Sequence, residues 1–187
     1  MTGRNASLVC ALLLTALSAR SSAMDFPELS GFLGDYMGMH QSTEIEGIFV
    51  VSNNDKKIVD YSRFLIDPIT VQLSRNAVAY RMDENELKSI AKNFRGNIIA
   101  ALETSNSIVN EPGPGVCRVR VAITDILKTG KKGAVGIIEA EFIDSTTEER
   151  IVAAVTSDKG MKLNEWTDLL RDRLTYLHSQ TRVFQFE

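Results

Sequence analysis

Few side chains in this sequence combine a reactive type with a useful spacing. Cys117 sits in the stretch EPGPGVCRVRVAITD (residues 111–125), behind two glycine–proline turns. Glu139 and Glu141, and Asp67 beside Pro68, have the form of a general acid and base. His40 and His178 lack ligand spacing to each other or to an acid motif, and neither GxSxG nor HExxH occurs, so zinc chemistry and a serine triad have no local support. A phosphate loop follows a strand and opens a helix. The glycines of EPGPG instead precede an alternating run, where Pro112 and Pro114 stiffen the chain and Gly113 and Gly115 permit unusual φ. TGKKG (129–133) fails the same test and is expected to be a solvated hairpin tip.

Each reactive candidate has a structural reading. Cys117 alternates with Val119, Val121 and Ile123, which predicts an inward thiol whose pKa is raised rather than lowered. Glu139 and Glu141 alternate with Ile138, Ala140 and Phe142, so they are expected on a solvated outer face, paired with Arg118, Arg120 and Arg150. Asp67 can tie a strand bend at Pro68. Trp166 and the leucines near it read as core. No catalytic residue, metal site or cofactor is assigned.

The elements that position these groups follow from periodicity. Gly47–Ser52 is an apolar run before the turn cluster SNNDKK, predicting a strand that forms a hairpin with Ile58–Leu73. Pro68 cannot donate to a ladder, so the second strand should bend there or run along an edge. Asp83, with Glu86 three residues on, begins a helix whose stripe is Leu87, Ile90, Ala91, Phe94, Ile98 and Leu102. Three strands follow: Val116–Ile123, Ala134–Asp144 and Arg150–Thr156. A two-residue turn at Gly130-Lys131 would place Arg120 opposite Glu141 and Val121 opposite Ala140. A last helix, with Asn164 as N-cap, carries Trp166, Leu169, Leu170, Leu174 and Leu177. The order β-β-α-β-β-β-α predicts an α+β, two-layer sandwich: a largely antiparallel sheet with two helices on one face.

Composition narrows the setting. Met1–Asn5 carries Arg4, residues 6–17 are an apolar run, and Ser21 and Ala23 stand at −3 and −1 before Met24. This is the pattern of a secretory signal peptide over residues 1–23, with Met24 as an alternative start. Cys10 lies inside the apolar run, which argues against a lipid anchor there. The remaining 24–187 forms a single α+β domain with an irregular lead-in (24–44). Without Arg4 and Arg20, 19 basic residues face 24 acids, a net charge of −5 that disfavours nucleic acid as partner. Cys117 is then the one thiol, so no intramolecular disulfide is expected. No segment beyond the leader has transmembrane length.

In this order and spacing, SGFLGDYMGM (30–39), VDYSRFLIDPITV (59–71), NEPGPGVCRVRVAITD (110–125) and EAEFIDSTTEERIVAAV (139–155) resemble the bacterial cell-envelope family known as domain of unknown function 3313. The resemblance implies an envelope protein, often a lipoprotein. This chain departs from that pattern by lacking a cysteine at the cleavage site. It carries over no catalytic residues; Tyr61, Asp67, Pro68, Gly113, Gly115 and Arg120 share the family's pattern and are expected to be structural.

The resulting expectation is an exported protein, periplasmic or secreted, or peripheral to the outer membrane, acting as a non-enzymatic partner-binding or structural module. Candidate binding residues are Tyr61, Asp67, Arg118 and Arg120. The partner would be an envelope protein or a second copy of the chain, met at a sheet edge or at the charged face. The alternatives are a small periplasmic carboxylate-dependent hydrolase and a small-ligand carrier, the latter requiring a closed apolar cavity between sheet and helices.

Overall fold

The computed structural model describes residues 26–53, 55–128 and 134–182. The leader and the tip around Gly130-Lys131 lie outside the described residues. The elements are β1 (His40–Gln41), β2 (Ile48–Ser52), β3 (Arg63–Ile66), β4 (Thr70–Val71), α1 (Glu84–Glu103), β5 (Ser107–Val109), β6 (Val116–Lys128), β7 (Val135–Asp144), β8 (Arg150–Thr156), β9 (Met161–Lys162) and α2 (Leu163–Arg182). They build one mixed sheet in the order β1-β2-β8-β7-β6-β3-β5, with β4 on β6 and β9 on β7. The fold is α+β, as the alternation and the helical stripes predict.

Register in the centre of the sheet agrees with the sequence. Arg120 faces Glu141 and Val121 faces Ala140, and the same frame holds from Cys117–Asp144 to Ile123–Ile138. Beyond it, two irregularities, between Ile123 and Asp125 and between Ile126 and Lys128, shift the pairing toward the tip. Cys117, Val119, Val121, Ile123, Ile138 and Ala140 are fully buried on one face.

Both helices cover that face. Asp83 accepts hydrogen bonds from the backbone N–H groups of Asn85 and Glu86, which caps α1. The α1 stripe is buried as predicted, with Ile90 partly so. Phe94 meets Trp166 of α2 edge-to-face, with ring centroids 5.5 Å apart. α2 begins at Leu163, so Asn164 lies inside its first turn rather than at the cap.

Two expectations are corrected. First, β2 and residues 58–73 form no hairpin: β2 pairs antiparallel with β8, whereas β3 runs parallel to both β6 and β5. Ile58–Asp60 is a 3-10 turn that turns the chain away from β2. The predicted break at Pro68 is present, separating β3 from β4, and both lie along β6. The sheet is largely antiparallel, as expected, with parallel ladders joining β3 to β5 and β6 and β4 to β6.

The second correction concerns the outer face. It is covered by residues 26–39, so Glu139 and Glu141 are buried, at 0% and 3% exposure. Phe26 packs on Phe49, and Leu33 packs on Ala153 and Val155. The Gln72 side-chain amide donates to the Ser30 carbonyl at 2.9 Å.

Between β8 and β9 the chain turns tightly at Gly160, with φ +65°, and an added Cβ would lie 2.8 Å from the Gly136 carbonyl oxygen. Gly160→Ala is therefore expected to lower stability by about 1–3 kcal/mol in urea unfolding. Substitution of neighbouring exposed Lys159 should stay within about 0.5 kcal/mol.

Candidate functional site

The singled-out polar residues fall into clusters that hold the fold together. Arg118 Nε lies 3.0 Å from both carboxylate oxygens of Asp67, and its Nη1 lies 3.5 Å from Glu148. Asp67 thus anchors the break at Pro68 onto β6. Two residues on, Arg120 bonds Glu141 Oε1, and Arg150 reaches Glu141 Oε2 at 2.9 Å. Arg150 also donates to the carbonyls of Leu33 (2.6 Å) and Asp35 (2.8 Å), while Arg120 lies over the Phe32 ring. The two guanidiniums therefore hold residues 32–35 against the sheet.

Glu139 does not join this ladder. It accepts from the Tyr36 hydroxyl and from the Ser30 backbone N–H at 2.8 Å. Burial, and then the hydrogen bond to Glu139, push the Tyr36 phenol up to about 12. A phenol raised in the folded state stabilises the fold while neutral. Its contribution is complete below about pH 10 and is lost as the pH rises from there toward 12. Tyr36→Phe should therefore flatten the loss of stability between about pH 10 and pH 11, measured as urea midpoints. An unchanged slope would remove Tyr36 from this linkage.

Tyr61 lies at the far end of β7, where its hydroxyl donates to Asp144 Oδ2 at 2.8 Å. The backbone N–H of Thr147, then the Tyr61 hydroxyl, hold the Asp144 carboxyl well below the usual range. Burial drives the Cys117 thiol far up, so it is a packing residue. His40 is exposed, with Nδ1 3.2 Å from the Gly38 carbonyl; the His178 side chain lies outside the described residues. Among the described residues, no group of three or more His, Cys, Asp or Glu could hold a metal ion. The four candidate binding residues are therefore not gathered into one cleft: Arg118 and Asp67 meet on the outer face, Arg120 pairs separately, and Tyr61 is buried at the sheet's end.

A concave site lies elsewhere. On the helix face, α2 does not reach across β8 and β2, which leaves a groove of about 570 Å³. Its floor is Val50, Val152 and Ala154, its helix wall is Leu169 and Leu170, and Trp166 lies at its depth. The opposite wall is the 42–45 segment, and Arg173 of α2 reaches across to Glu44, Nη2 to Oε2, at 2.5 Å. Lys56 and Lys57 stand at one end. Lys56 is held by Glu149 at 2.8 Å and Asp144 at 3.4 Å; Lys57 is exposed and makes no ion pair among the described residues. A second depression of about 540 Å³, between β4 and α1, is rimmed by Lys88, Lys92 and Arg95. There the Arg95 guanidinium is already bonded to the Ile66 and Asp67 carbonyls.

The carrier alternative called for a closed cavity; the structure has an open groove. One signal for it was present in the sequence: Arg150–Thr156 is apolar at both alternating sets of positions, as expected of a strand covered on both faces. Lys57 and Arg173 carry no comparable signal. Among the described residues, no helix is long and apolar enough to cross a membrane.

A family model described as "Protein of unknown function (DUF3313)" matches residues 28–136, more than half of the chain. Among solved structures, the chain is similar to a point variant of the PelC dodecamer from Paraburkholderia phytofirmans. Identity is 14%, over 68% of this chain and 93% of that one, with a TM-score of 0.40. A second PelC dodecamer structure from the same organism gives 13%, 68%, 92% and 0.40. Lipoprotein GNA1162 from Neisseria meningitidis gives 10%, 67%, 99% and 0.33. No curated protein matches.

Proposed function

Because the chain belongs to the DUF3313 family of proteins of unknown function, we propose a role that rests on its own geometry: an exported cell-envelope protein that binds a partner without turning it over. The observation that carries the reading is the open groove between α2 and the β2–β8 end of the sheet, apolar along its floor and cationic at its mouth. Other modes of binding have less support. On the arginine-rich face Arg118, Arg120 and Arg150 are already committed to Asp67 and Glu141, and the sheet edges are β1 and β5, of two and three residues, too short to template a long added strand.

Committed carboxylates favour binding over hydrolysis. Asp67, Glu139, Glu141 and Asp144 are held by arginine, tyrosine or backbone donors, so a general base would first have to break such a pair. Export is supported by the leader pattern of residues 1–23.

The test has two arms. Fractionation of the producing cells, with N-terminal sequencing, is expected to find the chain outside the cytoplasm and starting at Met24; an unprocessed cytoplasmic chain would end the export reading. Purified protein is expected to leave glycan, phosphoester and peptide substrates unchanged. Turnover abolished by Asp67→Asn, or by Glu139→Gln and Glu141→Gln together, would replace binding with the hydrolase alternative.

A further inference from the structure

The groove's shape and charge narrow what it can hold, given the reading above that it is the binding face. Its floor is the face of a sheet, not an edge, so it offers methyl groups and no free backbone donors or acceptors. An extended peptide laid there would leave its own N–H and C=O groups without partners, a cost that disfavours it. A hydrocarbon chain needs only apolar contact, and the volume of about 570 Å³ falls in the range of sites for a single small molecule.

Charge at the mouth adds the second constraint. The lining carries Lys56, Lys57 and Arg173 against the single acid Glu44, in a chain whose net charge is −3. Lys56 is committed to Asp144 and Glu149, which leaves Lys57 as the open cation at that end, while Arg173 is bonded to Glu44 across the groove. We infer that the groove takes a single-chain anionic amphiphile, its acyl chain along Val50, Val152 and Ala154 and its carboxylate or phosphate head at Lys57.

Trp166 is the only tryptophan in the chain and lines the groove, so its emission reports occupancy. The mature protein would be titrated with dodecanoate, dodecyl phosphate and dodecanol. Both anions are expected to change the emission saturably, the two arms separating a fatty-acid from a phospholipid-type head. Dodecanol should bind at least about tenfold more weakly. Lys57→Glu, at an exposed position, should weaken both anions about tenfold and leave dodecanol unaltered, while Val152→Phe should weaken all three by filling the floor. Dodecanol binding as tightly as the anions, or Lys57→Glu without effect, overturns the anionic head. If no amphiphile binds, the inference falls, and Nile red separates it from the broader reading. Dye taken up by the parent protein and not by Val152→Phe keeps the groove as a binding face; dye taken up by neither removes both.

Discussion

Glu141→Ala is expected to lower the free energy of unfolding by about 3 kcal/mol, because it removes the shared acceptor of two guanidiniums from a buried position. Loss of one partner from a buried ion pair commonly costs about 3–5 kcal/mol. The low end applies here for a structural reason. Arg120 and Arg150 side chains keep 38% and 26% exposure, so water recovers part of their solvation. Arg150 also retains the Leu33 and Asp35 carbonyls, and Arg120 retains the Phe32 ring. Glu141→Gln should cost less, since its amide oxygen still accepts from one arginine. Urea unfolding measures the loss, and proteolysis reads whether residues 26–39 loosen from the sheet. A change below about 1 kcal/mol would mean the cluster is screened like a surface ion pair.

Phe94→Ala has the larger expected effect, about 3–5 kcal/mol. Phe94 is 1% exposed and stands where α1, α2 and the sheet meet, with its ring against Trp166. Truncation leaves a cavity bounded by two helices and a strand face, which backbone movement in one element cannot close. Phe94→Leu keeps most of the volume and should cost less than about 1.5 kcal/mol. Trp166 emission gives an independent reading, since its edge-on partner disappears. A loss under about 1.5 kcal/mol for alanine, with unchanged emission, would place the helix–helix junction elsewhere.

Much of this core is legible in the sequence. Inward placement of Cys117, Val119 and Val121 follows from two-residue alternation, and Leu87, Phe94, Ile98 and Leu102 follow from helical spacing. The Arg120–Glu141 pairing follows from a two-residue turn at Gly130-Lys131, with the match of residue kinds across the two strands as its check. Two irregularities in β6 lie between the matched pairs and the tip, so the match of kinds carries that register. The groove was less visible. It exists because α2 stops short of β8 and β2, and its wall residues Leu169 and Leu170 look in the sequence like ordinary core positions.

Local pattern alone decides which residues of a strand or helix share a face, because side-chain direction is built into backbone geometry at a period of 2 or 3.6 residues. That is enough to derive the β6–β7 frame, the capped α1 and the burial of Cys117 from the chain itself. Which face is wet, and which strands become neighbours, depend on segments far apart in sequence. Residues 26–39 carry no period that announces where they dock, yet by covering the outer face they turn Glu139 and Glu141 from expected surface groups into buried ones. Likewise β3 has the composition of a hairpin partner, and only the 3-10 turn at Ile58–Asp60 and the ladder available along β6 make it parallel instead. Burial is a property of what packs on a residue, and for these acids the covering segment lies more than 100 residues away.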